Sequence, residues 1–203
     1  IQIAPAAREA LARSRQLVEN AIASGQTIYG INTGFGKLAN VRVAPDQLDQ
    51  LQANLIRSHA AGVGDALPAG VVRAAMLLRA NVLLRPTSGV RPELVDALLA
   101  LLNANLIPVV PEQGSVGASG DLAPLAHIAL VLLGEGSVLD PSAASKPAGP
   151  ALAAARFNPY RFGPKQGLAF SHGTPAHTAH LAPPLTYPAV SRRPAAGAAQ
   201  DTP

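Results

Sequence analysis

Residues 114 to 121, Gly-Ser-Val-Gly-Ala-Ser-Gly-Asp, make a glycine-punctuated loop between two apolar helical patterns, and Ala118-Ser119-Gly120 within it could do unusual chemistry. Three small residues in a row, the last without a side chain, let the backbone fold back until the Gly120 nitrogen reaches the Ala118 carbonyl carbon. Ring closure with loss of two waters, one of them from the Ser119 hydroxyl, leaves an imidazolone carrying an exocyclic methylene. Such a ring is a strong electrophile, which no ordinary side chain supplies. Taken alone the tripeptide is also a common turn. Rival chemistries of a glycine loop fail on particular residues. A phosphate cradle needs Lys-Ser/Thr after Gly120 or a clean GxGxxG, and neither is present. A nucleophile elbow needs glycine where Asp121 stands.

Other candidate groups lie at element ends. Tyr29 precedes Gly30-Ile31-Asn32-Thr33-Gly34-Phe35-Gly36, too glycine-rich for a helix, and a loop of this kind can approach or close over a substrate. Ser58 and His59 fall in the last turn of a helical pattern. His127 lies inside an apolar helix and reads as a core residue with its polar atoms satisfied. His172, His177 and His180 stand among prolines with no carboxylate nearby, which argues against a zinc site.

These groups need elements to position them, and the periodicity predicts mostly helices. One runs over residues 5 to 24, from Pro5 to the stop at Gly25, and a second from Pro45 to about residue 61. A third runs from Pro68 to about residue 85 and a fourth starts at Pro92. Residues 106 to 111 must be extended because Pro108 and Pro111 exclude helix. Asp121 is placed to cap a fifth helix, from residue 122 to about 134. The apolar content of 48% with only 3% aromatic residues makes a core of Ala, Leu and Val, which favours helix packing. Without cysteine there is no disulfide framework or thiolate site. The longest apolar run, residues 122 to 133, is too short to span a bilayer and contains Pro124 and His127. Residues 1 to 140 carry ten basic and eleven acidic side chains, whereas residues 141 to 203 carry six basic and one acidic. The net charge of +4 therefore belongs to the tail, where it is scattered, and nucleic-acid binding is not expected.

GSVGASGDLAPLAH, residues 114 to 127, resembles the signature of the histidine ammonia-lyases in the aromatic amino acid lyase family. YGINTGFGKLANVR, residues 29 to 42, is similar to that family's tyrosine loop. The resemblance covers residues 1 to 139 well and 163 to 174 in part. It implies a mainly α fold: the N-terminal helical domain of an ammonia-lyase over residues 1 to 140, with short extended segments around the loop and the long-helix central bundle missing. It also implies that Ala118, Ser119 and Gly120 cyclise autocatalytically to methylidene-imidazolone (MIO), with no metal or diffusible cofactor. Tyr29 would then take the substrate's β-proton, and since a free phenol holds its proton at neutral pH, the site would have to stabilise the phenolate or the transition state. His59 would lie in the substrate pocket, and His172 takes the place of a family asparagine before Gly173-Thr174.

The implied reaction is non-oxidative deamination of L-histidine to trans-urocanate and ammonia by a cytoplasmic homotetramer, with no nucleic-acid or membrane partner. The Ser58-His59 pair looks more like histidine lyases than phenylalanine lyases. Tyrosine or phenylalanine ammonia-lyases and MIO aminomutases share both motifs and stay open as alternatives, as does a truncated, non-catalytic fragment or interaction module. The chain opens at Ile1 without a leader pattern, and its true start is expected upstream. Residues 141 to 203 hold eleven of the nineteen prolines. This tail is expected to be partly family-like and then divergent, as a frameshifted, disrupted or mis-assigned stretch would be.

Overall fold

A computed structural model describes residues 1–115, 122–139 and 144–181. The predicted cyclising tripeptide, the capping residue Asp121 and the tail beyond residue 181 lie outside the described residues. Helix α1 (Pro5–Ala23) has proline in its first turn and turns Leu11 and Val18 inward, before Gly25 reverses the chain at φ +72°. Pro45–Gln47 is a short 3-10 turn that feeds α2 (Leu48–His59), whose inward face is Leu48, Gln52, Leu55 and Ile56. Strand β1 (Val63–Ala66) follows, then α3 (Ala69–Leu83) and α4 (Pro92–Asn103). The two prolines that exclude helix leave β2 (Ile107–Pro108) and β3 (Pro111–Gln113). Helix α5 (Leu122–Leu132) is apolar almost all round, the pattern of a helix enclosed on every side.

After α5 come β4 (Ser137–Leu139), β5 (Ser145–Pro147), α6 (Ala148–Ala154) and α7 (Gln166–Ser171), and residues 175–181 are again helical. Periodicity assigns none of these elements, because proline density hides them. The prolines fall where helices tolerate them: Pro147 caps α6, Pro150 lies in its first turn, and Pro175 starts the last helical stretch. A first-turn N–H has no partner inside the helix, so its loss there costs little.

The extended pieces form two small antiparallel sheets. β1 pairs with β3 (Val63 opposite Gln113), while β4 lies between β2 and β5. Around them one apolar cluster joins α3, α4 and α5, with Met76, Leu94, Leu98, Leu125 and Ile128 fully buried. Tyr160, Phe162 and Phe170 extend it as an edge-to-face series, with ring centroids 5.2 and 5.9 Å apart. Among the described residues no helix is long and apolar enough to cross a membrane.

Helix α7 belongs to this core because two turns hold it. Before it, Arg15 donates to the Gly89 and Pro164 carbonyls, and Lys165 donates to the Ser88 carbonyl at 2.8 Å. Burial and the neighbouring Arg15 charge lower the Lys165 pKa. At its start, Gly167 touches α2 so closely that a Cβ would come within 2.8 Å of the Gln52 backbone oxygen. Gly167→Ala is therefore expected to destabilise the chain by about 1–3 kcal/mol, as overpacking of a close-packed contact does, measured by urea unfolding.

Candidate active site

Tyr29 and its glycine segment form a tightly bonded loop. The side chain of Asn32, nearly buried, accepts from the Ile28 N–H at 2.8 Å and donates to the Gln26 carbonyl at 2.7 Å. Thr33 takes the Gly30 N–H and pairs across to Arg42. Gly30 sits at φ +76°, and a Cβ there would meet Leu168 of α7 at 2.5 Å. Only glycine satisfies both the left-handed backbone and this approach. Tyr29 itself is 56% exposed, its ring edge-on to Phe35 at 6.2 Å.

Leu168 also connects this loop to α2. The Gln52 side chain, 0% exposed, accepts the Gly167 N–H at 2.8 Å and the Leu168 N–H at 3.2 Å through Oε1. Along α2 from Gln52 lies His59, half-buried at the helix end. Its Nδ1 lies 2.8 Å from the Leu55 carbonyl and 3.0 Å from the Ser58 hydroxyl. A carbonyl only accepts, so Nδ1 carries the hydrogen, and in the neutral ring Nε2 is left as an acceptor.

His172 closes α7 at the other end, with its side chain exposed. Its backbone is held by Arg79 of α3, which is 3% exposed. The guanidinium donates to the carbonyls of Ala169 and His172, and among the described residues no carboxylate pairs with it. Burial pushes the Arg79 pKa down to about 10, so it remains a cation at neutral pH, positioned at carbonyls of a helix end. The chain then turns through Gly173, at φ +134°, into the helical stretch from residue 175. His177 on that stretch reaches the Ser115 hydroxyl at 3.5 Å through Nε2. Ser115 is the last described residue before the loop of residues 116–121.

The ends of that loop lie in a constricted place. A Cβ on Gly114 would come within 2.9 Å of the Gly62 Cα and 3.2 Å of Ala123 in the first turn of α5. The Gly62 N–H donates to His127 Nε2 at 3.0 Å; His127 is half-buried, and burial lowers its pKa. The structure thus brings the Tyr29 loop, the His59 end of α2 and the His172 end of α7 onto one framework around α5. Gln52 and Arg79 were not among the residues expected to matter. Their signal in the sequence was a polar residue at an inward register position of an apolar helix face. The described residues hold no group of three or more His, Asp or Glu side chains placed to hold a metal ion.

The family model described as aromatic amino acid lyase matches residues 1–187, farther than the two motifs reach. A histidine ammonia-lyase of Geobacillus thermodenitrificans is 56% identical over 171 residues, covering 84% of this chain and 34% of the relative. Among solved structures, the histidine ammonia-lyase of Trypanosoma cruzi superposes with a TM-score of 0.80 at 39% identity, over 88% of this chain and 34% of that one. A tyrosine aminomutase of Streptomyces globisporus gives a TM-score of 0.81 at 34% identity, over 88% of this chain and 33% of that one. The chain therefore spans about a third of the length of these relatives.

Because a Cβ at Gly173 would lie 2.6 Å from Arg79 Nη1 and the backbone there is left-handed, Gly173→Ala should displace the α7 end. The expected loss is about 1–3 kcal/mol of stability, read from urea unfolding. A variant as stable as the parent would show that Arg79 and this turn do not constrain each other.

Proposed function

The chain belongs to the aromatic amino acid lyase family, and on that footing we propose that it is a portion of a histidine ammonia-lyase-like enzyme that converts L-histidine to trans-urocanate and ammonia. The observation that carries the substrate class is the identity of 56% to a histidine ammonia-lyase, together with the Ser58-His59 pair at the end of α2.

Ala118-Ser119-Gly120 is the tripeptide able to cyclise to MIO. Gly114, at the start of that loop, lies so close to Gly62 that a Cβ on it would come within 2.9 Å of the Gly62 Cα. Once formed, the ring supplies an electrophilic methylene carbon for the substrate amine, which makes ammonia a feasible leaving group. Tyr29, more than half exposed beside its bonded loop, removes the β-proton. His59, with Nδ1 held by the Leu55 carbonyl, offers Nε2 to position the substrate. His172, in the place of a family asparagine, binds substrate from the end of α7. The reading needs neither a metal nor a diffusible cofactor, and the enzyme works as a homotetramer in the cytoplasm.

One observation favours a second reading. The chain spans about a third of its relatives, and Tyr29 is 56% exposed, so the pocket requires walls from sequence beyond this chain. In that reading the polypeptide by itself is a non-catalytic fragment that carries the cyclisation loop.

Intact mass and a urocanate absorbance assay separate the two. The chain is expected to weigh less than its sequence by two waters, and Ser119→Ala to restore the full mass. Where turnover is present, Tyr29→Phe should lower kcat by roughly 10²–10⁴-fold, the range for loss of a positioned proton acceptor. An unmodified mass with no turnover on histidine, tyrosine or phenylalanine would overturn the enzyme reading for this chain.

A further inference from the structure

His127 has no part in the proposed chemistry, yet it connects two pieces of the site. It lies on α5, the helix that follows the cyclising tripeptide, and its Nε2 accepts the N–H of Gly62, three residues beyond His59, at 3.0 Å. The space between them is closed. A Cβ on Gly62 would lie 3.0 Å from His127 Nε2, 3.2 Å from the Gln113 carbonyl oxygen and 3.2 Å from Pro111. The backbone at Gly62 is therefore wedged between α5 and β3, and Gly114 presses on it from the start of the reactive loop.

We propose that His127 is a positioning residue whose neutral imidazole, protonated on Nδ1, ties the α2 end bearing His59 to the helix behind the reactive loop. This rests on the lyase reading for its functional consequence. The tie itself is pure hydrogen-bond chemistry. An imidazole accepts at Nε2 only while that nitrogen is bare, and an imidazolium places a second N–H against the Gly62 donor. The same contact that positions the site at neutral pH then repels.

Among the described residues no charged group acts on His127. α5 and α7 have no other ionisable side chain, and β2 has none. On α2, Asp49 is held by Arg161 and Arg57 by Glu135, each at 2.7 Å, while His59 is occupied at Nδ1. On β3, Glu112 lies against Gly64, and His177 lies beside Ser115. Burial pushes the His127 pKa below the ordinary imidazole value. The folded state then binds its proton less readily than the unfolded chain. Stability from the neutral form is complete above about pH 6.5 and is lost as pH falls through the depressed folded value.

The test uses the 15N-labelled chain and two variants. A through-hydrogen-bond coupling between Gly62 N and His127 Nε2 is expected above neutrality and should vanish in acid. Gly62 amide exchange should rise roughly tenfold in His127→Phe, which removes the acceptor. In His127→Gln the side-chain amide oxygen replaces Nε2 and does not titrate, so Gly62 protection should persist and its acid transition disappear. Absence of the coupling, or the same acid transition in His127→Gln, would overturn the proposal. If His127→Phe fails to fold, the parent and glutamine variant still decide it. The two-water mass loss is read on the same samples. A chain that keeps its full mass and shows no turnover but shows the coupling fails the lyase reading and retains the tie, and the converse result fails the tie alone.

Discussion

The arrangement of this chain depends on one buried amide oxygen. Gln52 lies on the inward face of α2, where a leucine would satisfy the hydrophobic pattern, and its Oε1 takes two backbone N–H groups from the first turn of α7. Those N–H groups have no partner within their own helix, and buried without one each would cost on the order of 1–3 kcal/mol. Because Gly167 lets the two backbones nearly touch, the contact has little room to slide. Leu168, fixed in this way, is the residue against which Gly30 rests. The tyrosine loop therefore takes its place from α7, and α7 takes its place from Gln52.

Cations supply the other restraints on α7, and there they donate to carbonyls. Arg79 closes the end of α7, while Arg15 and Lys165 hold the turn before it. A buried cation without a counter-ion is a poor source of stability, since desolvation offsets much of what its hydrogen bonds return. What it provides is direction. A guanidinium fork accepts only a narrow geometry of oxygens, so the residues next to those carbonyls, His172 among them, are held in one orientation.

Much of this was legible in the sequence. All five helices up to residue 134 were legible, four from proline starts and the fifth from its apolar run after Asp121; where an end was expected it lies within one or two residues of the observed one, while α2 begins three residues after Pro45, which opens a 3-10 turn instead. The positions of Tyr29 before a glycine loop and of His59 at a helix end were likewise readable from spacing. The later elements were not. β4, β5, α6 and α7 are short, and pieces of six or seven residues are not stable alone and carry too few turns for a period to show. Their prolines look like breakers until the structure places them in first turns and caps.

Legible before any folding were a run of small residues, a tyrosine beside a glycine segment, and a histidine at a helix terminus. These are properties of residue type and near spacing, and they exist before the chain folds. Which groups meet depends on the packing of the folded chain. That Gly62 is tightly enclosed by His127, Gln113 and Pro111 is visible only after residues far apart in the chain pack together. The same holds for Arg79, which reaches helix ends 90 and 93 residues away. Such contacts follow from where the core forces helices to cross, and local pattern does not encode that crossing.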